Sequence, residues 1–109
     1  MSDNHTEARR VVDHMMQHDR FSQWLGIEVL EVTTGHSIIR MKVREEMVNG
    51  FGIAHGGIAF SLADSAFAFA CNNRNQLSVA LDTSINFTKE VRVGDVLTAE
   101  ATEIGRAHV

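Results

Sequence analysis

The sequence predicts an α+β fold in which an antiparallel sheet curves around one apolar helix. Three features predict it. Residues 58–71, "IAFSLADSAFAFAC", have helical character and carry only three polar side chains, Ser61, Asp64 and Ser65. Segments of alternating apolar and polar residues stand on both sides of that helix, joined by short connections of the antiparallel kind. A helix that is apolar on nearly all sides must also be covered nearly all round, which a curved sheet achieves.

Each element follows in order. Residues 5–18, "HTEARRVVDHMMQH", read as an amphipathic helix, with Val11, Val12, Met15 and Met16 on one stripe and Thr6 as a candidate cap. "DRFSQWLG" reads as a short helical turn ended by Gly26. "IEVLEV", "TTGH" and "SIIRMKV" form a strand, a turn and a second strand, which is a hairpin pattern. Residues 44–57 are a loop with four glycines, and the apolar helix follows and stops at "NNRNQ". Residues 78–87 and 96–104 read as two further strands, and "AHV" at the end as the start of a fifth.

The bulk properties set limits. A chain of 109 residues holds one domain. It is 44% hydrophobic and 22% charged, with a net charge of -4. Its Lys and Arg are scattered, with one adjacent pair at Arg9-Arg10. This argues against nucleic-acid binding, which normally shows a basic patch or stripe. No apolar run reaches the ~18 residues of a membrane span, and the polar start "MSDNHTEARR" has no signal-peptide core. The one cysteine, Cys71, makes no internal disulfide and fits a reducing compartment, so a cytoplasmic location is expected. Among six histidines, His14 and His18 share a helical face, but two ligands fall short of a closed zinc site. No metal is expected.

Asp64 carries the functional reading. Burying one unpaired carboxylate costs several kcal/mol, so Asp64 is paired, protonated or facing a wet cleft. A solvent-exposed strip or an Arg partner would explain it without function. The serines are cheaper to bury, because their hydroxyls bond back to helix carbonyls. His55, Gly56 and Gly57 stand at the start of the same helix. Unpaired N–H groups and the positive dipole end there suit an anion or a developing oxyanion, and glycine permits close approach. A tight loop-to-helix turn is the plainer account of the glycines. Gly56 and Asp64 are eight residues apart, roughly 12 Å along a helix. That is too far for both to serve one reacting carbon. A shared site needs a second chain, with two helices antiparallel across a two-fold axis and two equivalent sites.

"MVNGFGIAHGGIAFSLADSAFAFACN" and "SVALDTSINFTKEVRVGDVLTAEATEIGR" resemble the PaaI family of hotdog-fold acyl-CoA thioesterases, and "WLGIEVLEV" does so weakly. The resemblance implies a hotdog fold, in which an antiparallel sheet wraps a long central helix, and dimers with composite sites that often pair into tetramers. It implies that Asp64 is the catalytic nucleophile or general base. It implies that the Gly56 N–H is the oxyanion donor with Gly57 beside it, and that His55 and Asn49 orient the thioester and the catalytic water. Aryl-acetyl or medium-chain acyl-CoA esters, of the hydroxyphenylacetyl-CoA type, are the expected substrates, with no cofactor. Phe51, Phe60, Phe67 and Trp24 are candidates for an acyl pocket, although each taken singly reads first as core. Lys89, Arg92 and Arg74 are candidates for coenzyme A phosphates, or plain surface charge. Where some relatives carry a helpful Ser this chain places Ala80, with Ser78 and Ser84 nearby. The family continues with further strands beyond the final turn. Residues 1–109 therefore read as one hotdog domain truncated at its C-terminus, with residues 1–20 a helix ahead of the sheet. A non-catalytic acyl-CoA-binding hotdog module is the alternative, and a hotdog hydratase a weaker third.

Overall fold

The computed structural model describes residues 3–73, 82–84 and 90–103. Helix α1 (Asp3–His18) turns Ala8 and Val12 into the core and lays Met15 and Met16 against it. It begins ahead of Thr6, which is therefore not its cap. Helix α2 (Arg20–Leu25) starts at Asp19, whose carboxylate accepts the Ser22 N–H. It ends at Gly26, which holds the left-handed conformation (φ 77°) that glycine adopts without steric penalty.

Strands β1 (Glu28–Thr33) and β2 (His36–Lys42) form the expected hairpin. Its turn contains Gly35 at φ 76°. The alternation in β1 is broken by the adjacent pair Val29-Leu30. The pairing register slips between Val29 and Glu31, leaving Leu30 without a partner across the hairpin and exposed. The bulge lets Val29 and Val32, three residues apart, both pack on the core. Strand β3 (Asp82–Ser84) and strand β4 (Val96–Thr102) complete a four-stranded antiparallel sheet of order β1-β2-β4-β3. The rest of the expected strand over 78–87 and the start of a fifth strand lie outside the described residues.

The long helix α3 (Gly56–Cys71) lies on this sheet. It buries Leu62, Ala66 and Phe69, spaced one turn apart, against Ile39 and Met41 of β2 and Ala99 and Ala101 of β4. Three buried polar contacts tie the helix to its surroundings. Ser37 Oγ on β2 donates to the Ala66 carbonyl at 2.7 Å. Asn73, just past the helix end, accepts the Gly35 N–H at 3.1 Å and donates to the Thr33 carbonyl at 2.7 Å, pinning the hairpin turn. Ser65 Oγ lies 2.7 Å from Ser22 Oγ of α2. Of the two helix serines, Ser61 bonds back to the Gly57 carbonyl as expected, whereas Ser65 reaches across to another helix.

The expectation that α3 is covered nearly all round does not hold for the single chain. The sheet and α2 cover one side. The opposite stripe, which includes Phe60 and Asp64, faces solvent.

Candidate active site

The segment between β2 and α3 carries Asn49 and His55 and is tied down at several points. The Arg44 guanidinium lies 4.8 Å from the ring centre of Trp24 and donates to the Leu25 carbonyl at 3.2 Å, fastening the segment to α2. A short 3-10 turn, Glu45–Met47, follows and buries Met47. Asn49 clamps the next stretch: its Oδ1 accepts the N–H groups of Phe51 (2.9 Å) and Ile53 (3.1 Å). Its Nδ2 makes no hydrogen bond among the described residues. The segment returns to the core through the Ala54 N–H on the Val91 carbonyl and the His55 N–H on the Met47 carbonyl, at 2.8 and 2.9 Å.

His55 is the cap residue of α3, with extended backbone and no capping bond from its side chain. The helix therefore starts at Gly56, two residues ahead of the expected span, and both glycines belong to its first turn. The N–H groups of Gly56 and Gly57 bond to nothing among the described residues, while the Ile58 N–H already turns back to the His55 carbonyl. Neither glycine has a positive φ, and a Cβ added at either would meet no atom within 4 Å. The plain account of the pair as a tight turn thus lacks support from the backbone. The glycines leave an open, electropositive helix start.

Asp64 is exposed, so within one chain it lies on the solvent-exposed strip of the plain account and not in a buried setting. It makes no hydrogen bond or ion pair among the described residues, and no Arg among them partners it. The reason is its position on the stripe of α3 that the sheet does not reach. Asn49, His55, Gly56 and Gly57 are brought together by the segment and the helix start. Asp64 stands eight residues along the same helix, about 12 Å away, so one chain does not assemble all five.

The aromatic residues also depart from expectation. Phe51 is 85% exposed, Phe60 74% and Trp24 49%, and Phe67 is half-buried, so none of the four is a fully buried core residue; that role falls to Phe69. Trp24 stacks on Phe21 at 6.2 Å between ring centres. Arg92 pairs with Glu90 and lies beside the Asn49 segment through a bridge to Ile53. Arg74, Ser78, Ala80, Lys89 and the Ser84 side chain lie outside the described residues. His14 and His18 have ring centres 4.8 Å apart, and His18 Nδ1 bonds the His14 carbonyl. Among the described residues no group of three His, Cys, Asp or Glu side chains converges, and no helix is long and apolar enough to cross a membrane.

An antiparallel sheet laid over one long helix, with a glycine-led helix start and a carboxylate two turns on, defines a hotdog-fold protein. Residues 51–108 match the Thioesterase superfamily, and the chain belongs to that family. It is 40% identical over 87 residues to acyl-coenzyme A thioesterase PaaI of Escherichia coli, covering 80% of this chain and 62% of the relative. It is 32% identical over 103 residues to human acyl-coenzyme A thioesterase 13, covering 90% and 74%. The structure of the E. coli PaaI protein from the phenylacetic acid degradation operon superposes with a TM-score of 0.82 at 36% identity, covering 92% of this chain and 72% of that one. The chain spans 62% of the length of its curated E. coli relative.

Proposed function

We propose that this protein hydrolyses acyl-coenzyme A thioesters in a symmetric dimer whose two sites each draw on both protomers. Asp64 comes from one protomer, and Asn49, His55, Gly56 and Gly57 from the other. The observation that carries this reading is the placement of an unpaired helix start and an unpartnered carboxylate on one helix, too far apart to serve one substrate. Two such helices, antiparallel about a two-fold axis, bring each carboxylate to the other's helix start.

The chemistry follows from the groups. The thioester carbonyl points its oxygen at the Gly56 N–H, where the helix dipole stabilises the negative charge that develops on attack. The Asp64 carboxylate either takes a proton from the attacking water or attacks the carbonyl carbon itself. The thiolate of coenzyme A leaves, and the reaction consumes only water. Asn49 Nδ2 and the exposed His55 ring orient the carbonyl and the water. Exposed Phe51, Phe60 and Trp24 offer an apolar lining for an aryl-acetyl or medium-chain acyl group, and Arg92 stands by the segment to meet a coenzyme A phosphate. A single cysteine fits work in the cytoplasm, as a dimer or a pair of dimers.

The test is hydrolysis of phenylacetyl-CoA and a medium-chain acyl-CoA by the parent and by Asp64→Asn. The variant is expected to lose about 100-fold or more in kcat. A variant as fast as the parent contradicts the mechanism. Tight acyl-CoA binding by the parent with no turnover would instead mark a binding module, and hydration of an enoyl-CoA a hydratase.

A further inference from the structure

The buried contact between Ser65 and Ser22 has a direction. Ser22 Oγ donates to Asp19 Oδ2 at 2.6 Å, and the same carboxylate accepts the Ser22 N–H at 2.9 Å through its other oxygen. A hydroxyl has one proton to give, and a carboxylate only accepts. Having donated to Asp19, Ser22 can only accept from Ser65. The proton order is therefore Ser65 Oγ–H to Ser22 Oγ, and Ser22 Oγ–H to the Asp19 carboxylate. Both serines are buried, so water does not compete for the bond between them, while Asp19 at the end of the chain is half-buried. The bond that ends on the carboxylate has the short length of a charge-assisted one.

Ser65 follows Asp64 directly on α3. One residue is a rotation of about 100° and a rise of about 1.5 Å, so fixing the Ser65 hydroxyl fixes both the rotation and the height of Asp64. The same helix α2 also holds the other half of the candidate residues, because Trp24 and the Leu25 carbonyl fasten Arg44 at the head of the segment bearing Asn49 and His55.

We propose that α2 is a brace for the candidate site, and that Asp19, Ser22 and Ser65 are positioning residues that set Asp64 through this directed chain. The proposal rests on the reading of Asp64 given above. None of the three need touch substrate.

The experiment measures kcat and KM for phenylacetyl-CoA hydrolysis by the full chain carrying Ser22→Ala, Ser65→Ala, both together, or Asp19→Asn, with Asp64→Asn beside them. Displacing a carboxylate by a fraction of an ångström to an ångström lowers kcat by roughly ten- to 100-fold. Each serine variant is expected to show such a loss with KM changed less than about twofold, and the double variant no greater loss, since either change breaks one chain. Asp19→Asn keeps the cap oxygen but replaces the acceptor of the Ser22 proton with a donor, so it also lowers kcat. If a serine variant fails to fold, Asp19→Asn decides. Variants that unfold at lower temperature yet keep the parent kcat would show the chain to be merely structural and overturn the proposal, as would additive losses. An inactive Asp64→Asn beside fully active brace variants overturns the brace alone, whereas a fully active Asp64→Asn overturns both.

Discussion

Gly56 and Gly57 are glycines that no contact among the described residues demands. Their backbone is open to any residue, and space surrounds the position of a Cβ. Gly56→Ala is therefore expected to stabilise the folded chain, by about 0.4–1 kcal/mol, because alanine restricts the unfolded chain and favours a helix. The same methyl projects into the helix start where a thioester oxygen would sit, so hydrolysis is expected to fall. Thermal unfolding and turnover measured on one preparation check both signs, and a fall in stability would show that a steric demand had been missed. Asp64 teaches the complementary lesson. The sequence exposed it as an anomaly through the contrast between one carboxylate and eleven apolar neighbours of residues 58–71. It did not reveal that the residue is exposed in a single chain, since composition says how apolar a helix is and not which side a sheet reaches.

Among the elements, the hairpin, the short helix ended by Gly26 and the long helix were legible because each rests on local rules: alternation, capping and apolar spacing. The bulge at Leu30 and the contacts of Ser65, Ser37 and Asn73 were not, because they depend on which segments meet in space. Asn73 shows the energetic consequence. Asn73→Ala leaves the buried Gly35 N–H and the half-buried Thr33 carbonyl without their partner, and is expected to cost about 1–3 kcal/mol in urea unfolding. A loss under about 0.5 kcal/mol would mean that the turn finds other partners. The cross-strand pair of Glu28 and Arg40 behaves differently, being on the surface. The hydrogen bond from Arg40, and then its charge, hold the Glu28 carboxyl below its ordinary range. A group with a depressed folded pKa contributes stability above its unfolded value and loses it as pH falls through the folded one. The stability gap between parent and Arg40→Gln is thus expected to be small at neutral pH and to vanish as the pH is lowered through the carboxylate range. Unfolding curves across that range check this, and a gap that widens toward acid would contradict it.

At the scale of the whole molecule, one helix carries both halves of the proposed site, and the single chain leaves exposed the stripe that includes Phe60 and Asp64. The separation of Gly56 and Asp64 is readable from the sequence through helix geometry alone, and that separation calls for a two-chain site. The most direct test mixes two inactive variants, Asp64→Asn and His55→Ala, after denaturing and refolding them together. In a shared-site dimer, each hybrid has one site carrying both changes and one site carrying neither. Random pairing makes half of the dimers hybrids, so activity is expected to return to about a quarter of the parent's. No recovery above the separate variants, with hybrid dimers present, would contradict the shared site and place the chemistry within one chain.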